Sequence, residues 1–261
     1  MEQYNPILDT MAPITLKEMK AVRLMNRVDD KYLLNRRQLM ELLERIAPNY
    51  YVQRIDGEAL APYHTLYFDT DELAMYTAHH NRKLNRQKLR VRCYRSNQTT
   101  FFEIKNKNNK GKTNKIRIPI ETELFNRCLE VEEVREFLQK ESPYPIASLR
   151  DQLENSFRRI TLVDKGMHER VTIDSEIRFK NHTSGIDYDL SPLVVMEVKR
   201  EVGGPSTAID KALMDMRIHP KRMSKYCIGT ALTAPNAKVN RFKDKLRYIE
   251  KVIEIGTVIE N

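Results

Sequence analysis

The stretch Lys88-Leu89-Arg90-Val91-Arg92-Cys93-Tyr94 places cationic side chains at every second position, with apolar residues between them. Successive side chains of a β-strand point to opposite faces of its sheet, so this stretch predicts a strand with one cationic and one apolar face. The same alternation recurs in Lys115-Ile116-Arg117-Ile118 and in Arg170-Val171-Thr172-Ile173-Asp174. Several such strands in one sheet would gather many positive charges on one surface, which costs energy unless polyanions bind there.

Composition and charge limit the class of partner. The chain has 261 residues, 41% of them hydrophobic, which is enough for one large domain or two small ones. Its formal charge of +9 indicates an anionic partner. That partner is a nucleic acid, an anionic membrane surface, or a phosphorylated small molecule or polymer, and composition does not choose among these.

Cysteine usage and the apolar segments indicate a compartment. Cys93, Cys128 and Cys227 form no CxxC pair, so they predict neither a disulfide framework nor a zinc cluster. Residues 1–13 lack a signal-peptide pattern, and no stretch approaches the roughly 18 apolar residues of a membrane span. We therefore expect a cytoplasmic protein, with any membrane association made through a membrane-protein partner.

Periodicity and capping signals predict an α+β domain built on antiparallel strands. The predicted strands are residues 27–34, 64–68, 86–95, 99–106, 115–120, 156–163, 169–174 and 193–200. The predicted helices are residues 15–25, 36–46, 69–79, 130–140, 146–155, 207–216, a segment starting near 224, and 238–253. We expect a single domain over residues 1–261, with 1–22 as a helical lead-in and 235–261 as an amphipathic C-terminal helix.

The predicted cationic faces suggest a common interior. They carry Lys88, Arg90, Arg92, Lys105, Lys115, Arg117, Arg159, Arg170 and Lys199, together with the acids Glu103, Asp174 and Glu197. Any single strand of this kind is equally well explained as the solvated side of an ordinary antiparallel sheet. Over six strands, the dominance of cations favours a closed barrel with a wet, charged interior and a sheath of helices.

Two short segments offer carboxylates on these faces. Glu103-Ile104-Lys105 and Glu197-Val198-Lys199 each place a carboxylate and an ammonium group two residues apart, on one face of a strand. A carboxylate in a cationic interior is a candidate ligand for Mg²⁺ or Mn²⁺, which bridge protein oxygens and substrate phosphates. The alternative is an ion pair within the strand that only reduces repulsion.

Other motifs give weaker signals. The chain has no GxxxxGK[ST] or GxGxxG run, which argues against a P-loop or dinucleotide fold. Aromatic residues could stack on bases, but their alternation favours core packing. The residues concerned are Tyr67, Phe68, Tyr94, Phe101 and Phe102.

Taken in order, eight segments resemble the VTC domain, the polyphosphate polymerase domain of vacuolar transporter chaperone complexes. That domain belongs to the triphosphate tunnel metalloenzyme superfamily, which also holds the CYTH proteins. The resemblance runs from about residue 23 to 231. The segments are Lys31-Tyr32, Tyr67-Phe68-Asp69-Thr70, Arg90-Val91-Arg92-Cys93-Tyr94, Glu103-Ile104-Lys105, Lys115-Ile116-Arg117, Arg170-Val171-Thr172-Ile173-Asp174, Glu197-Val198-Lys199 and Ser224-Lys225-Tyr226.

The resemblance implies an antiparallel tunnel of about eight strands, in which basic side chains hold a triphosphate or polyphosphate and a glutamate holds Mn²⁺ or Mg²⁺. Polymerase members of the family transfer the γ-phosphoryl group of ATP onto a growing polyphosphate chain. The resemblance also implies that Glu197 holds the metal ion, that Glu103 is a second metal ligand, and that Lys31 lies near one mouth of the tunnel. The implied phosphate-binding residues are Lys31, Arg90, Arg92, Lys105, Lys115, Arg117, Arg159, Arg170, Lys199 and Lys225, of which Arg90, Arg92, Lys105, Arg170 and Lys225 are the implied catalytic residues.

The chain departs from the family pattern in two places. Phe157-Arg158-Arg159 replaces a Tyr-x-Arg segment, so a phenolic hydroxyl is missing and alternation selects Arg159 over Arg158 as the inward cation. Arg27-Val28-Asp29-Asp30-Lys31 replaces the ExExK signature of the CYTH proteins. The second departure favours the VTC branch over a thiamine triphosphatase or a class-IV cyclase.

Three other functions fit the same residues. One is a metal-dependent hydrolase of tripolyphosphate or nucleoside triphosphates. Another is a non-catalytic module that binds polyphosphate or inositol phosphates and regulates a membrane partner. A nucleic-acid binder fits the charge alone and is the least favoured. The expected ligands are thus ATP and polyphosphate or triphosphate.

Overall fold

The strands of the chain join into one sheet. The computed structural model describes residues 4–19, 27–110 and 113–257. In this part of the chain, eleven strands form the sheet, and eight of them follow the hydrogen-bonded order β2-β11-β9-β8-β4-β5-β6-β7 with antiparallel neighbours. In chain order the strands are β1 (Pro13–Ile14), β2 (Arg27–Asn35), β3 (Tyr50–Gln53), β4 (Ala61–Asp69), β5 (Arg86–Tyr94), β6 (Thr99–Lys107), β7 (Thr113–Ile120), β8 (Arg150–Asp164), β9 (Glu169–Asn181), β10 (Asp187–Leu190) and β11 (Leu193–Glu201).

Helices flank this sheet. The helix α3 contacts α6, α8, β2 and β11, while α7 contacts β8, β9 and β10. The helices are α1 (Asn5–Leu8), α2 (Leu16–Met19), α3 (Arg36–Ile46), α4 (Ala74–His80), α5 (Glu132–Glu141), α6 (Ala208–Asp215), α7 (Lys225–Thr233) and α8 (Lys243–Thr257). Short 3₁₀ segments occupy Ala47–Asn49, Thr122–Glu130, Ile146–Ser148 and Asn240–Phe242.

The predicted alternation of β5 is confirmed, and it fixes the two sides of the sheet. Leu89, Val91 and Cys93 are buried in a core cluster that also contains Phe102 and Val134. Because side chains alternate along a strand, Lys88, Arg90 and Arg92 lie on the opposite face. Apolar burial under the helices thus turns the cations of β5 away from the core.

The helix α3 has the predicted bounds for a local reason. Asn35 Oδ1 accepts a hydrogen bond from the Gln38 N–H at 2.9 Å, and Gln38 Oε1 accepts one from the Asn35 N–H at 3.0 Å. This reciprocal capping fixes the first turn. The buried residues of the helix recur at helical spacing and pack it onto the outer side of the sheet. They are Leu39, Leu42, Leu43 and Ile46.

The sheet curls strongly but is not a closed barrel. Within residues 27–110 and 113–257, the two ends of the path, β2 and β7, are not hydrogen-bonded to each other, so the expectation of full closure was wrong. The Lys221 N–H instead donates to the Lys31 carbonyl at 2.6 Å, which places the segment 219–224 on the free edge of β2. Three residues further on, Ser224 Oγ accepts a hydrogen bond from Lys88 Nζ of β5 at 2.8 Å.

Electrostatic contacts show how close the two ends of this path are. The strands β2 and β6 are six places apart in the sheet order, and a flat sheet would separate them by about 29 Å. Lys31 of β2 nevertheless lowers the pKa of Lys105 on β6, so the two side chains are near each other. The strand path therefore wraps around an interior, as the predicted eight-stranded antiparallel tunnel requires.

Two predicted helices were wrong in part. The segment 146–155 is not an α-helix, because only Ile146–Ser148 forms a 3₁₀ turn and β8 then runs from Arg150 to Asp164. Buried polar residues hid its strand pattern: Asn155 is fully buried and donates to the Arg178 carbonyl at 3.0 Å. The helix α4 begins at Ala74, not near Asp69, because Asp69 stays on β4 and its carboxylate accepts from the Met75 and Tyr76 N–H groups across a loop.

Smaller differences concern the ends of the chain and three strands. The terminal helix predicted from residue 238 begins at Lys243, after a 3₁₀ turn. The predicted helix from Thr15 has the expected capping box with Glu18, and its residues 20–25 lie outside the described residues. The lead-in also contains β1, which pairs in parallel with β3. Neither of these short strands, nor β10, was predicted, because they have too few residues to show a period.

Candidate functional site

The predicted cations lie on one face of the curled sheet, grouped around three acids. Cross-strand register places Arg90 opposite Glu103, and Glu103 opposite Arg117. It places Arg159 opposite Asp174, Lys199 opposite Arg170, and Lys31 opposite Glu197. We refer to these groups below as the Glu103, Asp174 and Glu197 clusters.

The Glu103 cluster joins β5, β6 and β7. The Glu103 side chain is fully buried and accepts hydrogen bonds from Arg90 Nε at 2.7 Å and Lys115 Nζ at 2.9 Å. Arg117 Nη1 lies 3.9 Å from the same carboxylate. Burial raises the pKa of Glu103, but Arg90, Arg92 and Lys115 outweigh it and hold this pKa at about 2. The carboxylate is therefore ionised and fixes three predicted phosphate ligands in place.

The Asp174 cluster joins β8, β9 and α7. Arg159 binds the Asp174 carboxylate in bidentate fashion, with Nε–Oδ1 at 2.6 Å and Nη2–Oδ2 at 2.8 Å. The Lys225 ammonium contacts the same carboxylate. Burial lowers the pKa of Lys225 to about 8, although Asp174 opposes the shift. Arg158 instead pairs with Glu176 at 3.4 Å, which supports the choice of Arg159 as the inward residue.

Phe157, which replaces a tyrosine of the family pattern, packs against these cations. Its ring centroid lies 4.4 Å from Lys225 Nζ, 5.3 Å from the Arg159 guanidinium carbon and 5.6 Å from that of Arg92. Cations are attracted to an aromatic face at such distances. The phenyl ring thus helps to hold three cations in place, but it offers no hydroxyl group to a phosphate.

The Glu197 cluster joins β2 and β11. The Glu197 carboxylate contacts the ammonium groups of Lys31 and Lys199. Lys31 lies midway along β2, and the implied position near one mouth of the tunnel stays a prediction. Burial, with Asp29 opposing it, lowers the pKa of Lys199 to about 6. An anion bound beside this lysine would favour its protonated form.

The three clusters converge on one interior. Burial lowers the pKa of Lys31, and both Asp174 and Arg159 act on it from β9 and β8. Burial also lowers the pKa of Lys105 to about 8, with Lys88, Arg90 and Lys31 adding to the shift. Since Lys105 is on β6 and Lys31 is on β2, charges from opposite ends of the strand path act on each other.

The helix α7 carries Lys225 into this interior. Ser224 caps the helix by accepting a hydrogen bond from the Cys227 N–H at 3.3 Å. A β-carbon at Gly229 would lie 2.6 Å from both Leu153 Cδ2 and Phe179 Cδ1, so only glycine permits this close approach of α7 to β8 and β9. The Tyr226 hydroxyl donates to the buried Asp69 carboxylate, which fixes the rotation of the helix.

Sequence reasoning placed the cations correctly on the inner face but missed several of their partners. Thr65 Oγ1 accepts a hydrogen bond from Arg92 Nε at 3.0 Å, and the Tyr67 hydroxyl lies 3.5 Å from Arg90 Nη1. Both residues share the inward parity of β4, which is the signal that could have identified them. The Ser224–Lys88 contact has no such signal, because it joins a helix cap to a distant strand.

Of the two candidate metal ligands, Glu197 fits a divalent ion better. Cations bind both oxygens of each carboxylate, but the Glu197 side chain is 20% exposed whereas that of Glu103 is 0% exposed. Among residues 4–19, 27–110 and 113–257, no group of three His, Cys, Asp or Glu side chains could hold a metal. A single carboxylate suits an ion such as Mg²⁺, which takes its other ligands from water and substrate phosphates.

The described residues thus form a curled antiparallel sheet whose inner face carries cations and one partly exposed carboxylate. A family model for the VTC domain matches residues 26–234. The chain belongs to the VTC domain family.

Two solved structures are similar to this chain, and the first of them has a similar fold. A Bacillus halodurans protein provisionally named an adenylate cyclase is 16% identical, over 83% of this chain and 97% of that one, with a TM-score of 0.50. A Hippeastrum protein provisionally named an adenylyl cyclase, for which a dominant triphosphatase activity is described, is 14% identical, over 81% and 98% of the two chains, with a TM-score of 0.48. No curated protein is similar enough in sequence to count as a relative. In the described part of the chain, every helix is too short or too polar to span a membrane.

Proposed function

We propose that the chain is a polyphosphate polymerase that transfers the γ-phosphoryl group of ATP onto a growing polyphosphate chain. The observation that carries this proposal is the row of cations along β5. Lys88, Arg90 and Arg92 face the interior at intervals of about 7 Å, each opposite a further charged or polar residue of β4 or β6. A row of charges suits a linear polyanion better than a single small phosphate.

In the proposed reaction, a terminal phosphate oxygen of the acceptor chain attacks the γ-phosphorus of ATP. A new P–O–P bond forms as the bond from the γ-phosphorus to the bridging oxygen breaks, and ADP leaves with the electron pair. Arg90, Arg92 and Arg159 are the guanidinium groups that would bind phosphate oxygens in bidentate fashion. Lys105, Lys225 and Arg170 would add positive charge, so the transition-state charge is stabilised by groups fixed in advance.

We propose that Glu197 holds the Mn²⁺ or Mg²⁺ ion together with phosphate oxygens, and that Glu103 holds none. When bound, such an ion would supply positive charge that offsets the charge of the phosphates and favours departure of the nucleotide. Lys31 and Lys199, which contact Glu197, are then free to bind phosphate. The remaining phosphate ligands, Lys115 and Arg117, stay attached to Glu103 at the other side of the interior.

Product length tests the proposal. Incubation with ATP and Mn²⁺ or Mg²⁺ should give polyphosphate chains on a gel and internal phosphate resonances in ³¹P NMR. Glu197→Gln should lose turnover by about 100-fold or more while still binding tripolyphosphate, because the cations remain. Free orthophosphate as the sole product would make the protein a triphosphatase, and binding without turnover in the unsubstituted protein would make it a binding module.

A further inference from the structure

Aromatic rings line one end of the tunnel. Tyr94 and Phe101 have the same inward parity as Arg92 and Glu103, and both are half-buried. Phe68 and Phe102, in contrast, are fully packed in the core behind the sheet. Core packing therefore explains only part of the aromatic residues of these strands.

These rings form a compact surface with a cation stacked on it. The Phe101 and Tyr94 centroids are 6.0 Å apart at 85°, and Tyr94 lies 5.0 Å from Tyr63. The Arg117 guanidinium carbon lies 4.0 Å from the Phe101 centroid, and the Arg117 side chain is 44% exposed. We call Tyr63, Tyr94, Phe101 and Arg117 the aromatic platform. Both aromatic faces and guanidinium planes stack on nucleobases.

The platform lies at only one end of the cation row. Tyr94 follows Arg92 by two residues, or about 7 Å along β5. The opposite ends of β5 and β6 carry Arg86, Lys88, Lys105 and Lys107. One end of this surface therefore suits an aromatic group attached to phosphates, and the other suits phosphate alone.

We infer that the nucleobase of the phosphoryl donor stacks on the aromatic platform. This inference rests on the proposed function, and it makes the phosphoryl donor a nucleotide. The base of that nucleotide would lie at Tyr94, and its phosphates would run toward Arg92 and Arg90. The polyphosphate chain then occupies the end of the tunnel at Lys88 and Lys105. Stacking does not distinguish bases by hydrogen bonding, so ATP and GTP should bind with similar affinity.

A fluorescent variant tests the inference directly. The chain contains no tryptophan, so Phe101→Trp introduces a single indole into the platform. ATP should quench its emission with saturation, whereas tripolyphosphate should bind, as measured by calorimetry, without quenching. Tripolyphosphate binding with no specific ATP quenching would overturn the inference and leave the proposed function standing. Failure of both ligands to bind would overturn the two together.

Affinities provide a second test. Phe101→Leu and Tyr94→Leu should each raise the Kd for ATP by about 5- to 100-fold, because each removes a stacking ring. Both variants should bind tripolyphosphate within about twofold of the unsubstituted protein, since neither residue is a phosphate ligand. Tyr188→Leu is the matched control, because Tyr188 is 37% exposed and lines a separate cavity of about 360 Å³ with Arg178 and Asp189. An equal loss of affinity for both ligands would contradict the stacking role.

Discussion

Each acid of the interior holds cations in position before any phosphate arrives. Glu103, Asp174 and Glu197 are 0%, 5% and 20% exposed, and each contacts at least two cationic side chains. Without them, the cations would repel one another in a medium of reduced dielectric constant. The acids thus allow the empty tunnel to fold, and a bound phosphate chain would then share the same cations.

The titration of Lys225 gives the binding site a pH dependence. Burial lowers the pKa of Lys225 to about 8 in the free protein. Phosphate binds the ammonium form, so the affinity for tripolyphosphate should be highest below pH 8 and should fall as the pH rises through 8. This group alone contributes a loss of up to about tenfold per pH unit.

Lys225→Arg tests this assignment, because a guanidinium group stays charged at every pH of interest. Between pH 7.5 and 9.5, calorimetry should show a smaller loss of tripolyphosphate affinity in the variant than in the unsubstituted protein. The two proteins should have similar affinities at pH 6.5. Identical pH profiles would show that Lys225 does not titrate on binding.

At the scale of elements, alternation predicted which residues face inward but not which residues meet. The strand predicted at 86–95 is observed as Arg86–Tyr94, since its apolar side is buried throughout. Glu103 was predicted to pair with Lys105 in its own strand or to hold a metal, yet it pairs with Arg90 and Lys115. Directly opposite residues of neighbouring strands lie about 5 Å apart, closer than residues two apart in one strand, and that register is set by long-range pairing.

Asp69 joins three elements and is a positioning residue for Lys225. The buried carboxylate accepts hydrogen bonds from the Thr70, Met75 and Tyr76 N–H groups at 2.8, 2.8 and 2.9 Å, and from the Tyr226 hydroxyl. It therefore ties β4 to the first turns of α4 and α7. Removing it would leave several buried donors without partners.

Asp69→Ala should lower the free energy of unfolding by about 3 kcal/mol or more. Tyr226→Phe, which removes one of the four hydrogen bonds, should lower it by about 1 kcal/mol. Urea denaturation measures both values. In the folded Asp69→Ala protein, tripolyphosphate affinity should also fall, because α7 no longer holds Lys225 against Asp174. A loss of stability below that of Tyr226→Phe would contradict this account of Asp69.

At the scale of the whole molecule, the curled sheet converts separate cationic strands into one binding surface. The segment 221–224 touches both β2 and β5, and Lys31 acts on the pKa of Lys105 across the interior. The sequence resemblance implied this tunnel. Local patterns could not predict the open edge between β2 and β7 or the segment that lies along β2. The contact that places this segment joins residues nearly 200 positions apart.

Calorimetric titration with tripolyphosphate tests the central claim that the inward cations form one phosphate-binding site. The unsubstituted protein should bind one tripolyphosphate per chain with saturation. Lys105→Met should weaken binding by about tenfold or more, because Lys105 faces the interior between Lys88 and Lys115 and its charge would bind phosphate there. Lys180→Met removes the same charge from an exposed position on β9 and should change the Kd by less than about twofold. Unsaturable binding, or equal losses in the two variants, would contradict the claim.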